Sequence, residues 1–347
     1  MDLSIALILI QDGITNGAIY ALLAIALVLV FAVTRVIYIP QGEFVAWGAL
    51  TLASMQAGKL PGTVWLLIAM GAISFLLDAW ATIRGQQKAQ WLRSAGVNLA
   101  LPIGLWAALN AMPIAQLPLI VQVLLTMALI VPMGPMIYRV AFQPIADAPV
   151  LILLIVSVAV HMTFIGLGLL VFGPEGARTT PFSDASFTLA GLNITGQSIF
   201  VLVVSIILIA ALYAFFERSL YGKALRATAL NRTGARLMGI SPTMAGKLTF
   251  LLAAFIGVTS GVLIAPTITM VYDSGFLIGL KGFVAAIIGG LVSYPVAALG
   301  AILVGILEAF YCFLGSSNKE VILFNLIITV LFLRSQNKHQ VEDDERN

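Results

Sequence analysis

Six of the chain's eighteen Lys and Arg residues fall in one stretch, Glu217 to Lys247 (ERSLYGKALRATALNRTGARLMGISPTMAGK), against a single Glu. Lys223, Arg226, Arg232 and Arg236, spaced among small Ala residues, suit docking rather than catalysis. They offer charge-assisted contacts to phosphate headgroups or to a groove on a protein partner. Bond-making chemistry has little to draw on elsewhere. No GxxxxGK[ST] phosphate loop occurs, since Gly58-Lys59, Gly222-Lys223 and Gly246-Lys247 all lack the following Ser or Thr. The two histidines, His161 and His339, have no metal-ligand spacing, and the single Cys312 excludes a multi-Cys metal site or an internal disulfide. No Ser/His/Asp or Cys/His set can be assembled. We expect no catalysis, no metal and no cofactor.

The other polar candidates lie inside apolar runs, and each has two readings. Asn16 and Tyr20 are four apart and share a helix face with Gly13 and Gly17. Small residues there permit close helix packing, or Asn16 lines a pore. Glu43, after Pro40-Gln41-Gly42, either complements a helix N-terminus or faces a path; unpaired at full depth it would cost at least about 2.5–3.5 kcal/mol. Gln41 begins the same segment. His161, with Ser157 and Thr163 nearby, is the most polar point of its run, either a packed hydrogen-bonded residue or a proton-sensitive one facing water. Pro40–Glu43 and Lys281-Gly282 each precede a short apolar segment containing Phe-Val-Ala, a faint repeat of half-helices or a chance likeness.

The elements that carry these residues follow from composition. Hydrophobic residues make up 61% of the chain and charged ones 10%, with mean hydropathy +1.06, far from soluble proteins. Runs such as LLAIALVLVFAV are apolar on every face, which excludes the alternation of a membrane barrel. The expectation is an all-α polytopic membrane protein. Eleven apolar segments are readable: 13–34, 41–57, 62–80, 99–113, 116–137, 150–172, 198–216, 246–271, 279–293, 295–314 and 320–333. Several are short and suit tilted or discontinuous helices, so about 8–11 cross the membrane. No basic residue precedes Arg35, so the first run reads as a retained span, not a signal. Residues 1–335 form one membrane domain, and 336–347 a charged, disordered tail. The 173–197 loop is polar, with Gly, Pro and short β-like runs. The net charge of +3 points to membrane orientation and not to nucleic acid.

With the N-terminus outside, fourteen basic residues collect on the inner side and four (Lys59, Arg178, Lys281 and Lys319) on the outer. The positive-inside rule thus places the 217–247 loop and the C-terminus in the cytoplasm. Within the loop, Gly222 releases the chain from the preceding span, and two short helices follow, Lys223–Asn231 and Thr233–Gly239. Asn231 and Thr233 offer capping, Gly239 a stop, and Ser241-Pro242 a new start.

The segment GKALRATALNRTGARLMGI resembles the coupling segment of permeases in the branched-chain amino acid ABC transporter family, where GRALRA…P-x-AARL-x-GI is typical. The opening DGITNGAIYALLAIALVLVFAVTRVIYIPQGEFVAWGAL is similar to that family's GL-x-NGAIYALLALGLTLVFG…INFAHGEF. The late GFVAAIIGGLVSYPVAALGAILVGILEAF resembles its AFVAAVLGGLGSIPGAVLGGLLLGLVE. The three blocks cover both ends and the middle, and favour the H-type over the M-type subunit. Gln41 stands where the family has His, 76–114 looks like an insertion, and the family's C-terminal ending is replaced by LRSQNKHQ.

The resemblance implies a subunit in the bacterial inner membrane that pairs with a second permease, cytoplasmic ATPases and a periplasmic binding protein. Lys223, Arg226, Asn231, Arg232, Arg236 and Gly239 would then couple to the ATPase, and Asn16, Tyr20, Gln41, Glu43 and His161 would border the path. Membrane lipid is the other expected contact. A secondary transporter driven by an ion gradient stays open as the alternative; it would need paired ionisable groups at mid-membrane, for which Glu43, Asp78 and Glu308 are the candidates.

Overall fold

The computed structural model describes residues 3–84, 95–189 and 192–314. The chain is an all-α polytopic membrane protein. Among the described residues seven helices are long and apolar enough to cross a bilayer: α1 (Ser4–Thr34, extending back to Leu3), α3 (Thr63–Ile83), α5 (Leu119–Ile145), α6 (Val150–Phe172), α7 (Gly196–Arg218), α10 (Pro242–Ile264) and α12 (Tyr294–Phe313, extending to Leu314). Between them lie the shorter α2 (Gln41–Gln56), α4 (Gly96–Ala111), α8 (Leu220–Leu230), α9 (Arg232–Leu237) and α11 (Ser274–Ile288). Ten of the eleven expected segments correspond to helices; the run 320–333 and the 336–347 tail lie outside the described residues.

Three boundaries differ. Helix α1 begins ten residues before the apolar run at 13, because Gln11 and Asp12 interrupt the hydropathy without breaking the helix. Helix α10 stops at Ile264 rather than 271. Helix α11 begins at Ser274, so Lys281 lies in its middle and not in an outer loop. Lys281-Gly282 therefore does not begin a helix as Gln41-Gly42 does, which removes the basis of the suggested half-helix repeat. The short β-like runs of the polar 173–197 loop pair as an antiparallel hairpin of β1 (Ser186–Leu189) and β2 (Leu192–Thr195).

Helix α1 is the central post, packed by α12, α10 and α11. Gly13 and Gly17 make that possible: a Cβ on either would lie 2.5 Å from Ile306 Cα or 2.8 Å from Ile302 Cα. The small-residue reading of that face holds. Helix α1 ends where Thr34 Oγ1 donates to the Val30 carbonyl at 2.6 Å and Arg35 takes a φ of 62°, turning the chain toward α2. Helices α3, α6 and α7 are peripheral, with most of their surface outward. Helix α4 lies along α3, where Gly71 permits backbone contact with Asn98. Helix α5 carries a π-helical turn over Tyr138–Phe142. An aromatic cluster of Tyr38, Phe142 and Phe250, with Tyr38 and Phe250 centroids 4.8 Å apart, ties α5 and α10 to the α1–α2 linker.

Candidate functional site

Helix α2 is too short to span a bilayer at 1.5 Å per residue, yet fourteen of its sixteen residues are buried. It lies inside the bundle, held by α10 and α11. The close approach is backbone on backbone: a Cβ on Gly42 would fall 1.9 Å from the Gly275 carbonyl oxygen, and one on Gly261 2.1 Å from that of Val45. The N-terminal turns of α2 and α11 therefore meet. Their dipoles put positive potential where Glu43 sits, in the first turn of α2.

Across this crossing stands α6. Its Ser157 Oγ accepts from Ile39 N at 2.9 Å. One turn on, His161 Nδ1 approaches Glu43 Oε1 to 2.7 Å, with the two side chains 4% and 1% exposed. The contact has ion-pair distance but lies outside hydrogen-bond angles, so both atoms remain without an aligned partner. The His161 ring packs on Phe276 of α11, centroids 4.8 Å apart. Gln41 Nε2 donates to the Ala253 carbonyl of α10 at 2.9 Å, while its Oε1, Tyr38 Oη and Trp47 Nε1 are buried without partners. Gln41, Glu43 and His161 thus come together although 118 residues separate the last two. Removing one partner of a buried pair costs about 3–5 kcal/mol, while removing both together is far milder. We expect His161→Leu to lower the unfolding midpoint in detergent, and Glu43→Gln with His161→Leu to recover most of the loss. Equal losses in the single and double variants would dissolve the pairing.

Tyr20 does not join this cluster. Its Oη donates to Glu308 Oε2 at 2.7 Å and accepts from Lys281 Nζ at 3.2 Å; Lys281 also pairs directly with Glu308. This triad links α1, α11 and α12. Glu308 is therefore paired within the bundle. Asn16, one turn before Tyr20 on α1, is partly exposed. Lys281→Met would strand the Glu308 carboxylate, at about 2.5–3.5 kcal/mol on insertion scales. Lower yield of folded chain, restored by adding Glu308→Gln, is the expected outcome by size-exclusion chromatography. Asp78 pairs with Arg139 at 2.7 Å, joining α3 to α5.

The basic stretch lies at the far end of α7 from the hairpin. Ser219, not Gly222, ends the span, and its Oγ accepts from Gly222 N at 2.9 Å to start α8. Gly222 lies within α8, pressed against the Phe215 carbonyl. Asn231 Oδ1 accepts from Gly234 N at 2.8 Å to start α9, and Ser241 Oγ from Met244 N at 3.4 Å to start α10. Gly239, at φ 84°, closes α9: Ile240 N donates to the Ala235 carbonyl and Gly239 N to that of Arg236, a pairing that satisfies the last carbonyls.

The six expected coupling residues divide by role. Arg226 pairs with Glu217 across the α7–α8 corner. Arg232 donates to the Ala146 carbonyl at 3.0 Å and lies 3.8 Å from Asp147, which seats α9 on the α5–α6 corner. Asn231 and Gly239 set the helix ends. Lys223 and Arg236 remain as exposed cations. Sequence reasoning overlooked the apolar residues between them: Leu230, Leu237 and Met238 are 87%, 83% and 83% exposed. These apolar side chains stand out of the core on two capped helices, beside the exposed Lys223 and Arg236. Their only sequence signal was an apolar pair before a helix-ending Gly.

The family model for the permease component of branched-chain amino acid transport systems matches residues 91–333. The chain is 27% identical to the high-affinity branched-chain amino acid transport system permease protein BraD of Pseudomonas aeruginosa, over 93% of this chain and 92% of that protein. It is 25% identical to LivH, a permease protein of the same description, from Escherichia coli K12 and from Salmonella typhimurium, over 93% of this chain and 91% of each. No solved structure matches it. This helical membrane bundle without a phosphate loop, matched over 93% of its length by transport permeases and over residues 91–333 by the family model, belongs to the branched-chain amino acid permease-component family.

Proposed function

We propose that this chain is the H-type permease subunit of a binding-protein-dependent ABC importer in the bacterial inner membrane, carrying branched-chain or related hydrophobic amino acids. It pairs with a second permease, takes solute from a periplasmic binding protein, and receives conformational energy from cytoplasmic ATPases. The Ser219–Ser241 turn faces the cytoplasm, and so does the C-terminus. The observation that carries the reading is the α8–α9 pair: two short, capped helices that hold Leu230, Leu237 and Met238 in the open between Lys223 and Arg236. An ATPase groove with apolar walls and an acidic rim complements that surface, and its motion would drive the helices as rigid levers.

The buried polar crossing of α2, α6 and α11 supports a path that runs along Gln41, Glu43 and His161, because polar atoms without partners concentrate there. Purification of the chain from its native membrane tests the assignment. An ATPase subunit is expected to accompany it. Solute uptake by the chain alone, driven by a proton or sodium gradient, would contradict it.

A further inference from the structure

At the end of α1 nearest the basic turn an open groove of about 260 Å³ runs between α1, α7, α8 and the loop before α12. Its floor is apolar, made by Val33, Phe216, Leu225 and Leu291. Val33 and Leu225 belong to a small hydrophobic cluster separate from the main core, so this corner has its own packing. Two guanidinium groups stand at the rim, Arg35 and Arg226. Arg226 is already answered by Glu217. Arg35 is exposed and has no acidic partner among the described residues; its guanidinium lies over the Phe31 ring, 5.8 Å from the centroid.

The backbone presents this cation at some cost. Arg35 at φ 62° and Leu291 at φ 57° are the only non-glycine residues with positive φ among the described residues, and both line the groove. Such conformations cost of order 1–3 kcal/mol each and persist where the surroundings impose them. The groove also sits where three of the membrane-crossing helices have their ends, α1 and α7 finishing and α12 beginning there.

We infer that this groove binds one anionic phospholipid of the leaflet on the basic-turn side, with the headgroup phosphate on Arg35 and part of an acyl chain along Val33, Leu225 and Leu291. The apolar floor takes a tail and the unanswered cation takes a phosphate, the general pattern of basic lipid pockets between transmembrane helices. Because Leu225 and Arg226 belong to α8, the bound lipid fastens α8 to α1 and α12. That consequence for coupling rests on the reading of α8–α9 as the ATPase surface; the lipid site itself does not.

The test uses the full chain reconstituted in vesicles of equal phosphatidylglycerol and phosphatidylcholine, then extracted in mild detergent, with retained lipid measured by mass spectrometry. The unsubstituted chain is expected to retain phosphatidylglycerol over phosphatidylcholine by about fivefold, the preference one Arg confers beside an anionic headgroup. Arg35→Gln removes the preference, and Ala32→Phe, which fills the groove, removes the retained lipid. A photoactivatable phosphatidylglycerol should label residues 29–35 and 216–230 of the unsubstituted chain, a readout that stands even where a variant fails to fold. No headgroup preference, unchanged retention in both variants, or labelling confined to other faces would overturn the site. Labelling lost only when the ATPase is bound would leave the site standing and overturn its role in coupling, since lipid and partner would then exclude each other. Lipid retention with no ATPase capture would likewise leave the site standing and sink the coupling reading.

Discussion

Gly42→Ala is expected to abolish the folded protein, although it adds a single methyl group. The new Cβ would lie 1.9 Å from the Gly275 carbonyl oxygen and 2.7 Å from its carbon. Both are backbone atoms, which cannot rotate away. Overpacking in a tight core costs typically about 1–3 kcal/mol, and more where the neighbour cannot yield. Here α2 is confined on two sides, by Gly275 and Gly279 of α11 and by Gly257 and Gly261 of α10, so a shift relieving one contact tightens the other. The same shift would move Glu43 off His161. Gly166→Ala in α6 is the control, since nothing lies within 4 Å of its Cβ position. Alanine there is expected to be neutral or to gain up to about 1 kcal/mol in helix propensity. Monodispersity and unfolding midpoint of the two variants in detergent decide it. A folded, stable Gly42→Ala chain would mean that α2 and α11 do not cross as described.

The second large effect is functional. Leu237→Asp with Met238→Asp should leave the bundle intact, because both side chains are more than four-fifths exposed and help to cover no core. Two carboxylates on that surface would face the acidic rim that Lys223 and Arg236 imply. Hot-spot side chains at protein interfaces commonly cost about 2 kcal/mol or more when lost, and like charge adds repulsion, so ATPase capture should fall by at least about thirtyfold. Charge reversal at Arg226 is a weaker probe than sequence alone suggests. Its first effect is to set a second carboxylate beside Glu217, disturbing the α7–α8 corner before any partner is involved.

The architecture was legible because lipid leaves two options, apolar helices or a closed barrel, and runs apolar on every face exclude the second. The caps of α9 and α10 were legible too, since Asn231, Gly239 and Ser241 act within a few residues of themselves, whereas Ser219, which starts α8, was passed over for Gly222. What depended on distance along the chain was hidden. Glu43 and His161, or Tyr20 and Glu308, meet only through the fold. Lys281 went to a loop because the positive-inside rule assigns every cation to one side or the other, while a cation paired with Glu308 can stay inside. Leu230, Leu237 and Met238 went unremarked because an apolar residue beside a membrane span is expected to be buried, and only the geometry of α8 and α9 turns them outward.

The central claim is that this chain moves solute only when the α8–α9 surface engages an ATPase. Proteoliposomes holding the complete importer, supplied with binding protein and ATP, provide the direct measurement: initial uptake of radiolabelled leucine, isoleucine and valine, with and without Leu237→Asp and Met238→Asp. The account predicts ATP-dependent uptake in the unsubstituted complex and its loss in the variant, with the variant chain still folded and paired to the second permease. Undiminished uptake in the variant, or uptake that proceeds without ATP, would contradict it.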